Sequence, residues 1–340
     1  MAAYTTIDNP ELYFQAKIYS GNATVRSITL DGDEDMSPTI VYIFARGGNE
    51  YPSLYDSVRG TQKLLRPDND DPAGTESGTD GVTAFGSNGF TVGDDENVNN
   101  SSETFVAWCW KETADAGIDL VTYTGTGSAK TESHSLSAVP HFMIVKSLSD
   151  GGYLDGGSDY CVYHHKNTSA PETDYLKMNV GGTTIDLNTI WNDTAPTSSV
   201  FTVGTNDQVN ENTDSYINYA WTEKQGYSKF GSYTGNGNAD SAFIYLGFKP
   251  AFFLLKASSA GSEDWRICDN KRDPENVMDR TLKSNLSSAE ADADVMDFVS
   301  NGVKLRSTDG GVNYNGRTYV YAAFAEAPFV NSNGVPNNAR

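Results

Sequence analysis

The chain has 340 residues and carries 45 acids against 24 bases, a formal net charge of −21. That balance excludes partners recognised through clustered Lys and Arg, so neither nucleic acid nor an anionic membrane surface is expected. Hydrophobic content is a modest 38%, yet 19 Tyr, 15 Phe and 5 Trp supply large buried area, and with 32 Gly they argue for an all-β protein rather than disorder.

In chain order, the sequence says nearly the same thing three times. Y-S-G-N at Tyr19–Asn22 returns as Y-T-G-T at Tyr123–Thr126 and as Y-T-G-N at Tyr233–Asn236, starts that lie 104 (123 − 19) and 110 (233 − 123) residues apart. Each is followed, 17 to 19 residues on, by a proline that opens an apolar run: Pro38, Pro140 and Pro250. Each unit closes on an aromatic strand: Thr104–Glu112, Ser215–Glu223 and Thr318–Glu326. A period of this length exceeds the roughly 20–50 residues of solenoid repeats and suits units that each hold a core. The expected division is a lead-in at 1–18, repeats at 19–113, 120–224 and 229–329, and a polar tail at 330–340. The linkers at 113–119 and 225–228 are short enough to hold the units close.

Within the first unit, Ala16–Leu30 reads as a hairpin around Gly21-Asn22. The acidic loop Asp31–Ser37 leads to a strand at Thr39–Arg46, continuous enough to be buried on both sides. Pro67–Thr79 is rich in turn formers and acids and is expected to be an exposed loop. Strands then follow at Gly89–Val92 and Thr104–Trp110. The second unit offers strands at Phe142–Lys146, Tyr160–His164, Tyr175–Asn179, Phe201–Val203 and Tyr216–Trp221. The third offers them at Ala242–Leu246, Phe252–Lys256, Trp265–Cys268, Thr281–Lys283, Gly302–Arg306 and Thr318–Phe324, with Ser287–Asp294 a helical turn or loop. About seven or eight short strands per unit is the arithmetic of a β-sandwich.

Several ordered motifs carry a resemblance: Pro38–Arg46, Tyr55–Gly60 (YDSVRG), Phe85–Gly93 (FGSNGFTVG) and Val98–Lys111. In the third unit the matching residues are Trp265–Asn270, Thr281–Asn285, Ala289–Glu290, Asp297–Gly302 and Thr318–Phe329. This order resembles the repeat module of bacteriophage tail and tail-fibre-like virion proteins, of the type frequent in marine phages. The second unit departs from it, with YHHKNTS (Tyr163–Ser169) where the first has YDSVRG. The resemblance implies three tandem β-sandwich domains of jelly-roll, concanavalin-like type. It also implies a non-enzymatic virion protein that is made in the host cytoplasm and contributes to host-surface glycan attachment. The alternative is an architectural capsid decoration or head-fibre protein. Other virion proteins, a host glycan and further copies of the chain, a trimer among the options, are the implied partners. Only about 18 residues precede the first repeat, so a separate anchoring region is expected to be missing or to be one of the repeats.

Candidate chemistry is sparse. The four histidines are His134, His141, His164 and His165; the last two, adjacent on a strand, point to opposite faces and are poorly placed for one metal. No nucleophile motif accompanies them, and no carboxylate pair stands out among 45 acids as a glycosidase couple. The acidic runs Asp31–Asp35, Asp94–Asn99 and Asn206–Asn212 lack the EF-hand pattern and read as solvated turns, so no metal and no cofactor is expected. Three cysteines without a C-x-x-C spacing read as core thiols. The N-terminus lacks a signal-peptide pattern, and no apolar run approaches the roughly 18–20 residues of a membrane span.

In FVAWCW, alternation puts Phe105, Ala107 and Cys109 on one face and Val106, Trp108 and Trp110 on the other, so a strand buried on both sides is expected. Asp56 and Arg59, with Arg46 near them in the motif, suggest a structural Asp–Arg contact. Trp191, in the polar stretch NTIWNDTAPTSS, is the exposed aromatic candidate for glycan stacking, with Tyr163 and His165 beside it.

Overall fold

The computed structural model describes residues 4–48, 50–149, 158–240 and 242–337. The protein is all-β, and its three largest sheets have four, six and eight strands. Each arises from one repeat, and each begins with the same order. The opening strand (Phe14–Ser20, Ile118–Thr124, Ser228–Thr234) pairs antiparallel with the closing strand (Thr104–Trp110, Ser215–Trp221, Thr318–Pro328). The closing strand pairs in turn with the strand of the post-proline run (Ile40–Ala45, Phe142–Ser147, Phe248–Ala257). A corner strand follows at Ser53–Asp56, Cys161–His164 and Arg266–Asp269. In the third segment the sheet continues through Met278–Lys283 and Ala291–Val299 to Gly302–Leu305 and Phe243–Tyr245.

The recurring tyrosine explains itself at this point. Tyr19, Tyr123 and Tyr233 donate their hydroxyls to the carbonyls of Val98, Val209 and Val312, at 2.7, 2.7 and 2.6 Å. The asparagine after each valine completes a clasp. Asn99, Asn210 and Asn313 accept from the backbone N–H of Asn22, Thr126 and Asn236 and donate to two carbonyls each. Each tyrosine ring stacks on the closing strand, on Phe105, Tyr216 or Tyr319, with centroids 5.3, 5.1 and 4.9 Å apart. The glycine of each motif is required by close approach. A Cβ on Gly21, Gly125 or Gly235 would lie 1.9, 1.9 or 2.3 Å from a backbone oxygen of the opposite loop. Gly125→Ala is therefore expected to cost about 3 kcal/mol in chemical denaturation, because backbone on both sides must move.

That geometry overturns the hairpin expected at Ala16–Leu30. Gly21 carries the chain from one sheet to another, and Arg26–Thr29 pairs with Gly89–Val92 rather than with the opening strand. Ser287–Asp294 is neither helical turn nor simple loop. The strand Ala291–Val299 begins within it and pairs on both sides, and Glu290 just before it is held by Arg46. The Pro67–Thr79 loop is only partly exposed. Pro67 is buried, and the Asp70 carbonyl accepts from Lys146 Nζ (3.0 Å) and Ser158 N–H (2.7 Å) of the second segment.

Strands buried on both faces need a cover on each side, and the protein supplies two kinds. Val41, Ile43, Ala45, Phe105, Ala107 and Cys109 point into a core belonging to the first segment. Ile40, Tyr42, Phe44, Val106, Trp108 and Trp110 point the other way, into a core shared by all three segments. The second segment divides likewise: Met143, Val145, Cys161 and Ala220 lie in its own core, and Phe142, Ile144, Val162, Tyr219 and Trp221 in the common one. In the third segment both faces, for example Phe252 and Phe253, belong to the common cluster. The alternation expected for Phe105–Trp110 holds. The three cysteines are free and buried, and burial pushes their thiols up.

Candidate functional site

The segments meet in a closed ring built from their corner strands. Asp56, at the first corner, accepts a 2.6 Å hydrogen bond from Tyr219 Oη on the second closing strand. His164, at the second corner, lies with Nε2 3.1 Å from the carbonyl of Tyr321 on the third closing strand. Asp269, at the third corner, accepts from Trp108 Nε1 on the first closing strand at 3.1 Å. Each corner thus reaches the next segment, and the third reaches back to the first.

Two corners share a turn. Asp56 accepts from Arg59 N (2.8 Å) and Nε (2.5 Å), and Asp269 accepts from Arg272 N (2.9 Å) and Nε (2.5 Å). The Asp–Arg contact anticipated for Asp56 and Arg59 is thereby present, whereas Arg46 pairs with Glu290 of the third segment at 2.8 and 2.9 Å. In the second segment His164 and Asn167 stand where the others have Asp and Arg. A carbonyl only accepts, so His164 Nε2 carries the proton, while Nδ1 accepts from Lys166 N–H at 3.1 Å. The ring is neutral by construction.

Electrostatics agree with that tautomer. Burial pushes His164 down to about 3 and His165 down to about 4. A group whose folded pKa is depressed stabilises the fold above its unfolded value near 6.5 and loses that contribution as pH falls toward the folded value. His164 alone is expected to remove roughly 3 kcal/mol between pH 6.5 and 4. Glu76, raised to about 7 chiefly by burial, acts in the opposite sense between pH 4.5 and 7 and offsets part of the loss. His164→Gln, which keeps a neutral donor, is expected to flatten the pH dependence of the urea midpoint between pH 6 and 4.

The residues expected to stack on glycan are not assembled on the surface. Trp191 is 1% exposed and Tyr163 4%; both lie in the core of the second segment, rings edge to face at 6.0 Å. Trp191 ends a short helix, Asn188–Trp191, that turns the indole inward, where Nε1 donates to the Asp174 carbonyl at 3.1 Å. Its polar neighbours are what face solvent. His165, expected beside His164 on the strand, lies instead in the turn that follows the strand's end at His164; it donates through Nε2 to the Phe230 carbonyl at 2.6 Å and packs against His141. Among the described residues, no group of three or more His, Cys, Asp or Glu is placed to hold a metal ion.

The open concavity lies elsewhere, between the first and second segments. It encloses about 440 Å³ and is bordered by Arg59, Lys63, Ala73 and Thr75 on one side and by Thr122, Thr124, Leu148 and Ser215 on the other. Lys63 Nζ donates to Thr75 Oγ1 at 2.9 Å. Among the described residues its lining holds two bases and no acid, in a chain where acids outnumber bases. The sequence held a signal for this region that period reading missed. D-x-x-R recurs at Asp56/Arg59 and Asp269/Arg272, and L-K-x-N at Leu176–Asn179 and Leu282–Asn285, which aligns the corners across all three segments. A smaller apolar cavity of about 60 Å³ lies where the three sheets meet, lined by residues such as Ile40, Phe142 and Leu254.

No helix among the described residues is long and apolar enough to cross a membrane. No protein of curated function matches the chain. A family model described as a domain of unknown function, DUF7483, matches residues 9–328, a span that takes in all three segments, and the chain belongs to that family.

Proposed function

We propose that the protein is a non-enzymatic structural component of a phage particle, part of the tail or a tail fibre, that contributes to contact with host-surface glycans. The segments are read as three β-sandwiches of the jelly-roll, concanavalin-like type, joined into one body. The observation that carries the reading is the division of labour between strands and loops. The recurring residues build clasps and cores, while the loops between them differ in sequence from copy to copy, which leaves them to carry what is specific to this chain. The buried, neutral His164 and the partly buried His165, each held by a carbonyl, suit a structural role better than acid–base chemistry. Weak sites repeated on an oligomer would gain avidity through effective concentration.

A second reading, an architectural protein bound to other virion proteins, is favoured by one feature. Phe243 and Tyr245, 45% and 49% exposed, lie on the strand that ends the third sheet, where a partner could cover them. Immunogold labelling of intact particles separates the two: label at the tail tip supports attachment, and label over the shell supports the architectural role. Purified protein that neither binds host cells nor blocks adsorption would end the attachment proposal.

A further inference from the structure

The guanidinium of Arg59 is left incomplete. Its side chain is 4% exposed; Nε is held by Asp56 and Nη2 approaches the Leu54 carbonyl at 3.4 Å, but Nη1 has no hydrogen-bond partner among the described residues. A buried donor left unsatisfied costs about 1–3 kcal/mol, more when it carries charge. The same turn in the third segment shows what the position takes. Arg272 makes the same bonds to Asp269 and to a strand carbonyl, that of Ile267, and offers its Nη1 to the carboxylate of Glu290 at 3.4 Å. In the first segment no acid among the described residues fills that place. Arg59 instead borders the open cleft.

The geometry points to this cleft as a binding site for the carboxylate of an acidic saccharide, with Arg59 and Lys63 as its anion-binding pair. The inference rests on the glycan-attachment reading and gives it a ligand class. A carboxylate satisfies Nη1 as Glu290 does in the third segment, by a charge-assisted bond stronger than a neutral one. Lys63 supplies a second positive charge on the same wall. The exposed hydroxyls of Thr75, Thr122, Thr124 and Ser215 present donors and acceptors suited to the hydroxyls of a pyranose ring. The volume of about 440 Å³ falls within the range of about 300–1,000 Å³ typical of small-ligand sites. Because the chain as a whole carries −21, its long-range field repels an anion, so recognition depends on these short-range contacts.

The test titrates the full chain with sodium glucuronate, with glucose as the neutral match and sodium sulfate as the simple anion, followed by calorimetry and by amide shifts of the cleft. Glucuronate is expected to bind at least tenfold more tightly than either control. Lys63→Glu and Thr124→Glu, both outside the cores, are each expected to weaken it tenfold or more with an unchanged urea midpoint. Glucuronate binding no better than glucose, or binding that both variants leave intact, overturns the site. Equal affinity for sulfate overturns the saccharide assignment. Cell binding is scored separately. Protein that adheres to host cells without competition from glucuronate removes the cleft and spares attachment, and protein that takes up glucuronate but ignores cells does the reverse.

Discussion

Replacing Asp269 by alanine is expected to destabilise the protein by about 4 kcal/mol, the scale for removing one partner of a buried ion pair. Asp269 and Arg272 have fully buried side chains, and the carboxylate also accepts from the Lys271 and Arg272 backbone and from Trp108 of the first segment. Alanine would leave the guanidinium with the more distant Glu290 as its nearest carboxylate, beside the Ile267 carbonyl, and leave an indole N–H unpaired in the common core. Asp269→Asn, which keeps acceptor oxygen but not charge, should lose about half as much. Trp108→Phe, which deletes the donor and leaves a small cavity in place of the larger ring, should lose at least about 2 kcal/mol. Urea denaturation followed by Trp fluorescence and far-UV circular dichroism measures all three. A loss below about 1 kcal/mol for the alanine variant would show that the ring contact is incidental.

An isolated second segment, residues 118–224, is expected not to fold, whereas the intact chain unfolds in one transition. One face of its main sheet, including Phe142, Ile144, Val162, Leu176, Tyr219 and Trp221, lies in the common core and would be bared to water. Each such side chain contributes about 1.5–3 kcal/mol when buried, so the six together contribute about 9–18 kcal/mol, as much as the roughly 5–15 kcal/mol of a typical domain's total stability. The measurement is amide dispersion in a proton–nitrogen correlation spectrum. A well-dispersed, monomeric spectrum from the segment alone would contradict a core that the three segments must build together.

Much of the strand framework was legible because strands buried on both faces read as uninterrupted apolar runs, as at Ile40–Ala45 and Phe142–Ser147. The alternation in Phe105–Trp110 also announced two covered faces. What covers the second face was not legible, since periodicity reports that a side is buried and not which sheet lies against it. The Gly21-Asn22 pair looked like a turn because Gly-Asn commonly marks one. Its glycine is needed for a different reason, the passage of Asn100 O close to its Cα. Trp191 misled through its polar neighbours, which face outward from a helix too short to show a period. At the cleft, Arg59 was correctly paired with Asp56, but the freedom of its remaining nitrogen depends on the absence of a counterpart to Glu290, which no local motif records.

The ring of corners also carries an order. Asp56 is matched to a phenol, Asp269 to an indole, and His164 to a bare carbonyl one residue from Ala322. Three copies of the first segment could still close on themselves, since Asp56 would meet Trp108, a donor. Three copies of the third could not, because Asp269 would face the position of Ala322, which offers no donor. The corners therefore work as addresses. Each carboxylate corner needs a neighbour that brings a side-chain donor, and an order that sets Asp56 or Asp269 against Ala322 leaves a buried carboxylate without one.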